Sequence, residues 1–156
     1  TGGSYVDGIL WGSTYFGAWR YDGRNWRGFF NKEGGLPSDF MNNIKARSAN
    51  EAWFCTDKGL GVLTDFPTDT WVQYTAGPHS PAGRAVVKRG PETLETVELE
   101  AGVPHSFIIA ADLDGNDAWI GTAKGLGWAI GEDYYAGVRP RTAREAKPAA
   151  SQEARP

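Results

Sequence analysis

One seven-residue pattern occurs three times in this chain and limits its fold more than any local propensity does. It reads Trp11-Gly12-Ser13-Thr14-Tyr15-Phe16-Gly17, Trp53-Phe54-Cys55-Thr56-Asp57-Lys58-Gly59 and Trp119-Ile120-Gly121-Thr122-Ala123-Lys124-Gly125. Each copy has Thr three positions after Trp and Gly three positions after Thr. Self-similarity at a fixed interval is the signature of a repeat architecture. The first interval is 42 residues and the second is 66, which is the same interval lengthened by 24. A period of about 40–45 residues matches a four-stranded propeller blade.

Alternation and turn chemistry divide each period into four strands. An inner strand a covers Met41–Arg47 and Phe107–Asp112. Strand b carries the tryptophan, over Leu10–Thr14, Glu51–Thr56 and Ala118–Thr122. Strand c follows the repeated glycine, over Gly17–Tyr21, Gly59–Leu63 and Gly125–Ile130. Strand d is an aromatic-x-x-aromatic segment, Trp26–Phe30 and Trp71–Thr75. A Gly–apolar–Pro turn, Gly35-Leu36-Pro37 or Gly102-Val103-Pro104, then leads from the rim to the next inner strand. The 24 extra residues fall in an inserted hairpin at about 78–101, with an acidic outward face (Glu92, Glu95, Glu98, Glu100) that guards an exposed edge.

These residues resemble the two-component regulator propeller repeats. The likeness rests on Gly35-Leu36-Pro37-Ser38 to Ile44 with Ala52-Trp53-Phe54-Cys55-Thr56-Asp57-Lys58-Gly59-Leu60, and on Asp114-Gly115-Asn116-Asp117-Ala118-Trp119-Ile120-Gly121-Thr122-Ala123-Lys124-Gly125-Leu126. Departures are Cys55 where the family has Gly, Ser48-Ala49-Asn50 in place of an Asp-Gly turn, and Tyr15-Phe16 where a polar pair is commoner. The resemblance covers about 130 residues. It implies a bacterial, often exported protein with a sensing or interaction role, placed in the periplasm, at the cell surface or outside the cell.

The expected fold is therefore all-β, a β-propeller segment of four-stranded antiparallel blades over residues 1–138. As read, it opens at a strand b and closes after a strand c, so one complete blade is flanked by partial blades. Repeats left open in this way expose an apolar face at each end. Two completions suit this count: the chain as a piece of a longer propeller, which is preferred, or blades supplied by other copies or subunits. The start at Thr1, without methionine or an apolar leader, suits a removed leader or a fragment boundary equally.

Residues 139–156 form an Ala/Pro/Arg/Glu-rich tail with a disordered-like composition. It holds five basic and two acidic residues, a charge of +3 within a net charge of −3, which leaves −6 on the body. A body so acidic is not a nucleic-acid binder, and no apolar run reaches the length of a membrane span. A tail of this kind is expected to be held by a protein partner through Arg139, Arg141 and Arg144, with open blade edges as further contacts.

The candidate chemistry is sparse. Asp112-Leu113-Asp114-Gly115-Asn116-Asp117 has glycine fourth rather than sixth, so a hairpin turn is a better reading than a calcium loop. Lone Cys55 lies in an apolar strand and reads as a buried thiol. His79 and His105 have nothing to bring them together. No metal, cofactor or catalytic constellation emerges, and the chain is read as non-enzymatic. Its aromatics read as packing between blades rather than as a sugar-stacking platform.

In an up-and-down blade the d–a and b–c connections emerge at one end. Tyr15, Phe16, Ser38, Asp39, Asp57, Lys58, His105, Ser106 and Lys124 thus share a loop face, the expected place for a ligand or partner on a rigid scaffold. The leading functional reading is an interaction module or scaffold in a bacterial envelope or extracellular assembly. The alternative is the ectodomain of a two-component signalling protein, sensing a small molecule or glycan at that face. A lectin-like carbohydrate binder stands third.

Overall fold

The computed structural model of the chain describes residues 1–79 and 81–129. They form three antiparallel sheets, each a meander in sequence order. Sheet 1 contains β1 (Gly2–Val6), β2 (Ile9–Thr14), β3 (Gly17–Tyr21) and β4 (Trp26–Phe29). Sheet 2 contains β5 (Met41–Ala46), β6 (Ala52–Thr56), β7 (Gly59–Asp65), β8 (Thr70–Ala76), β9 (Gly83–Arg89) and β10 (Glu92–Leu99). Sheet 3 contains β11 (Ile108–Asp114), β12 (Asp117–Thr122) and β13 (Gly125–Ala129).

The architecture is the expected propeller segment, with a correction to its blade count at the amino end. Sheet 1 is complete at four strands rather than partial, because Gly2–Val6 supplies the missing inner strand and pairs with β2 from Gly2↔Ser13 to Val6↔Ile9. The expected partial blade is found in sheet 3, with three strands among the described residues. The inserted hairpin, β9 and β10, extends sheet 2 to six strands. Its edge strand β10 is charged and exposed, and Glu98 pairs with Arg84 on β9 at 2.7 Å. The tail, with Arg139, Arg141 and Arg144, lies outside the described residues.

Strand geometry makes each sheet a two-faced packing element, since alternate side chains point to opposite faces. Two apolar clusters fill the joints between sheets. Between sheets 1 and 2 lie Trp11, Phe29, Ile44, Phe54, Leu63 and Trp71. Between sheets 2 and 3 lie Trp53, Cys55, Leu60, Val62, Ile108 and Ile120. Trp11 and Trp53 are 0% and 1% exposed, so the first two copies of the repeated tryptophan each seal the joint to the following sheet. Burying an apolar side chain of this size contributes at least about 1.5–3 kcal/mol. The thiol of Cys55 is inside the second joint, and burial pushes its pKa up to about 12.

The rest of the repeated pattern has a local cause. Thr14, Thr56 and Thr122 each donate a hydroxyl hydrogen bond to the carbonyl of the glycine three residues on, Gly17, Gly59 and Gly125, at 2.7–3.1 Å. The same oxygens accept the N–H of Phe16, Lys58 and Lys124 at 3.0–3.2 Å. One side chain thus satisfies two backbone groups of the turn. The glycines sit at φ of 99°, 147° and 131°, where a Cβ is strained.

The Gly–apolar–Pro turns also have a packing reason. A Cβ on Gly35 would come within 2.3 Å of the Trp71 indole, and one on Gly61 within 2.9 Å of the Pro37 ring. Gly127 faces Pro104 in the same manner, at 3.1 Å. The second glycine of each Gly-Leu-Gly segment is therefore the seat of the preceding proline.

Candidate functional site

The loop face is built by the β2–β3, β6–β7 and β12–β13 turns together with the connections leading into β5 and β11. Backbone hydrogen bonds tie them together. Gly17 N–H donates to Asp39 O at 2.7 Å, Asp57 N–H to Phe40 O at 3.3 Å and Ala123 N–H to Phe107 O at 3.0 Å. The turn tips therefore rest on the connections rather than standing free in solvent.

Several expected site residues hold this floor together. Ser38 is buried, and its hydroxyl accepts the Phe40 N–H at 3.1 Å. The Asp39 carboxylate accepts the Asn31 N–H at 2.6 Å. His105 Nδ1 accepts the Phe107 N–H at 3.0 Å, and the Ser106 hydroxyl accepts the Ala76 N–H at 3.0 Å. Asp57 is half-buried, with one carboxylate oxygen, Oδ1, enclosed and without a hydrogen-bond partner.

The exposed tips are Tyr15, Phe16, Lys58 and Lys124, and Phe16 reaches 82% exposure. Tyr15 packs on Phe40 with ring centroids 5.3 Å apart. Phe30 lies beside Gly17, with Lys32 Nζ 5.6 Å from its ring. Tyr15, Phe16, Asp39 and Asp57 thus meet at one corner around Phe40. His105, Ser106 and Lys124 meet at a second corner around Phe107.

Phe30, Phe40 and Phe107 were absent from the residues expected by sequence. A signal existed: Phe40 and Phe107 stand at the same place in two copies, immediately before the inner strand. Both are exposed, which a purely structural aromatic seldom is.

At the opposite end the Asp114–Asp117 segment is a two-residue hairpin turn, with Gly115 at φ 57°. The Asp112 carboxylate is engaged by Lys45 at 2.7 Å, and that hydrogen bond holds its pKa below the usual aspartate value. Among the described residues no group of three or more His, Cys, Asp or Glu is placed to hold a metal ion. No helix there is long and apolar enough to cross a membrane.

No family model and no curated protein matches the chain. Among solved structures, it is similar to the extracellular domain of a putative hybrid two component system from B. thetaiotaomicron, with 14% identity and a TM-score of 0.36. That match covers 81% of this chain and 26% of the other. A second such domain from the same organism has 12% identity and a TM-score of 0.43, with 83% and 24% covered. The chain spans about a quarter of the length of these structures.

Proposed function

We propose that this chain is part of the propeller ectodomain of a bacterial two-component signalling protein, on the outer side of the cytoplasmic membrane. It takes a small molecule or glycan at the loop face. The observation behind this reading is the contrast within the three threonine-clamped turns. The same threonine-to-glycine hydrogen bond closes all three, at 2.7–3.1 Å, whereas their tips are Tyr15-Phe16, Asp57-Lys58 and Ala123-Lys124. A fixed frame with varied tips at one end is how rigid folds carry recognition.

The aromatic corner suits a ligand with an apolar ring face, since Tyr15, Phe16 and Phe40 offer flat, exposed surface at low entropic cost. Lys58 and Lys124 add cationic points. The repeat motif supports the sensor setting through its resemblance to two-component regulator propellers. The scaffold reading leaned on a partner held by the tail, and the tail lies outside the described residues. The solved structures named above are extracellular domains of two-component systems, a description that belongs to those proteins.

The test is an oligosaccharide array probed with the whole chain, followed by thermal-shift titration of any sugar retained. Binding abolished by Tyr15→Ser with Phe16→Ser, at unchanged Tm of the free protein, supports the reading. Binding that survives the double variant moves recognition away from this face. A blank array and no shift with small metabolites removes the ligand-sensing reading.

A further inference from the structure

The fold brings a guanidinium to both an aromatic ring and a carboxylate three times. The Arg20 guanidinium lies 4.1 Å from the Phe66 ring centroid and 3.9 Å from Asp22 Oδ2. That of Arg27 lies 5.5 Å from the Phe29 centroid and 3.6 Å from Glu33. That of Arg47 lies 5.9 Å from the Trp53 centroid and 3.0 Å from Glu51. Ring face and carboxylate both attract positive charge, so each pair shares one cation.

A fourth set of rings and carboxylates, at the first corner of the loop face, takes no cation from the chain. Tyr15 and Phe40 meet with ring centroids 5.3 Å apart and planes at 39°, and they are 59% and 44% exposed, so both keep open surface. Two half-buried aspartates are tied to this pair. Asp39 precedes Phe40 and its carbonyl accepts the Gly17 N–H, while Asp57 donates its own N–H to the Phe40 carbonyl. Among the described residues neither carboxylate has an ion-pair partner, and no lysine or arginine lies over either ring. Lys58, next along the turn, is exposed and pairs with neither.

The repeat shows which of these groups the frame does not require. Clamp threonine, turn glycine and the phenylalanine before the inner strand recur, as Thr56, Gly59 and Phe40 and as Thr122, Gly125 and Phe107. The aspartates do not recur: Ser106 and Ala123 stand at the places of Asp39 and Asp57. Phe107 also has no ring partner among the described residues. The carboxylates and the second ring are thus additions made at one corner of a shared scaffold. Residues 1–138 carry −6, from −3 overall and +3 in the tail, which adds a field that draws cations.

We propose that the Tyr15–Phe40 corner binds an organic ammonium group, which lies over the rings and beside Asp39 and Asp57. This rests on the reading of the loop face as ligand-binding, and it narrows the ligand to one that carries a positively charged nitrogen. A quaternary ammonium compound and an unacetylated amino sugar share that chemistry. The ring faces attract either cation, and the carboxylates also accept N–H bonds from the second.

The test is a ligand-observed NMR titration of the 156-residue chain with two matched pairs of probes. One pair is choline and the neutral alcohol in which carbon replaces its nitrogen. The other is a glucosamine trisaccharide and its fully N-acetylated form. In at least one pair the charged probe is expected to bind about fivefold tighter than its neutral partner, and which pair shows it tells a quaternary ammonium from an amino sugar. Asp39→Asn with Asp57→Asn keeps an acceptor for the Asn31 N–H and removes both charges. Tyr15→Leu with Phe40→Leu keeps apolar surface and removes both rings. Each double variant is expected to erase the preference at the Tm of the parent; Asp57→Asn alone and Tyr15→Leu alone serve where a double variant does not fold. A preference that either change leaves intact overturns the site, and charged probes bound no better than neutral ones overturn the proposal. Neutral sugar held as well as charged, and lost with the rings, would leave the ligand-sensing reading standing without the ammonium.

Discussion

The two closed joints of this protein have the same backbone plan and different interiors. The first is aromatic: Trp11 lies 6.1 Å from both Phe29 and Phe54, and Phe54 lies 5.0 Å from Trp71. The second surrounds Trp53 with mostly aliphatic side chains, Cys55 and one further aromatic, Tyr74. The tryptophans also differ in how their N–H is treated. Trp53 Nε1 donates to Glu51 at 2.8 Å, whereas Trp11 Nε1 is buried without a partner. The residue two before Trp11 is Ile9, which has no acceptor to offer where Glu51 has a carboxylate. What a joint needs is therefore a large flat side chain at one register position; its hydrogen bond and its neighbours are free to change.

The largest expected effects come from removing that side chain. Trp11→Ala and Trp53→Ala should each cost about 3–5 kcal/mol in urea unfolding. Trp11 should be the costlier, because it meets three aromatic rings, Phe29, Phe54 and Phe66, and such pairs contribute about 0.5–1.5 kcal/mol beyond buried area. An equal or reversed order would show that the aromatic joint gains nothing from its rings.

Phenylalanine separates the roles further. Trp53→Phe gives up the bond to Glu51 and Trp11→Phe gives up none, so Trp53→Phe should cost more by about 1 kcal/mol. The same denaturation measurement decides it, and a smaller loss for Trp53 would refute the reading of the orphan N–H. Next are the clamps. Thr56 is fully buried and Thr14 is exposed, so Thr56→Val should cost about 1–3 kcal/mol and Thr14→Val well under 1. Amide exchange of Lys58 and Phe16 would locate each loss in its own turn.

The smallest effect is electrostatic and confined to the second joint, which Lys45 and Asp112 bridge. The Asp112 pKa is depressed, so its contribution is present above the unfolded aspartate value and fades as pH falls through the lower folded value. Both groups are well exposed, which keeps the contribution below about 1 kcal/mol. Asp112→Asn should flatten the acid limb of stability against pH slightly, and an unchanged limb would show the pair to be idle.

Much of this fold was legible because the repeat marks its own register. Once Trp53 and Trp119 are aligned, β6, β7, β12 and β13 follow, and the glycine after each clamp fixes the turns. β1 was not legible. Gly2-Gly3-Ser4 has no apolar alternation, and the strand is held by its pairing to β2 and by Ser4 accepting the Ala46 N–H at 3.0 Å. At the loop face, alternation of up and down strands placed all nine residues at one end. It could not show that Ser38, His105 and Ser106 spend their polar atoms on backbone, because those bonds come from loop conformation rather than from residue type. Phe40 was legible only by its matching place with Phe107 before the inner strand; its exposure depends on how the connection packs beside Gly17.

Cys55 gives one of these seams an intrinsic reporter. The protein has a single sulfhydryl, enclosed between sheets 2 and 3 and held in its protonated form. A thiol-specific dye can reach it only when those sheets part. Labelling kinetics thus count the openings of one seam while the other stays silent, and they do so without any added probe.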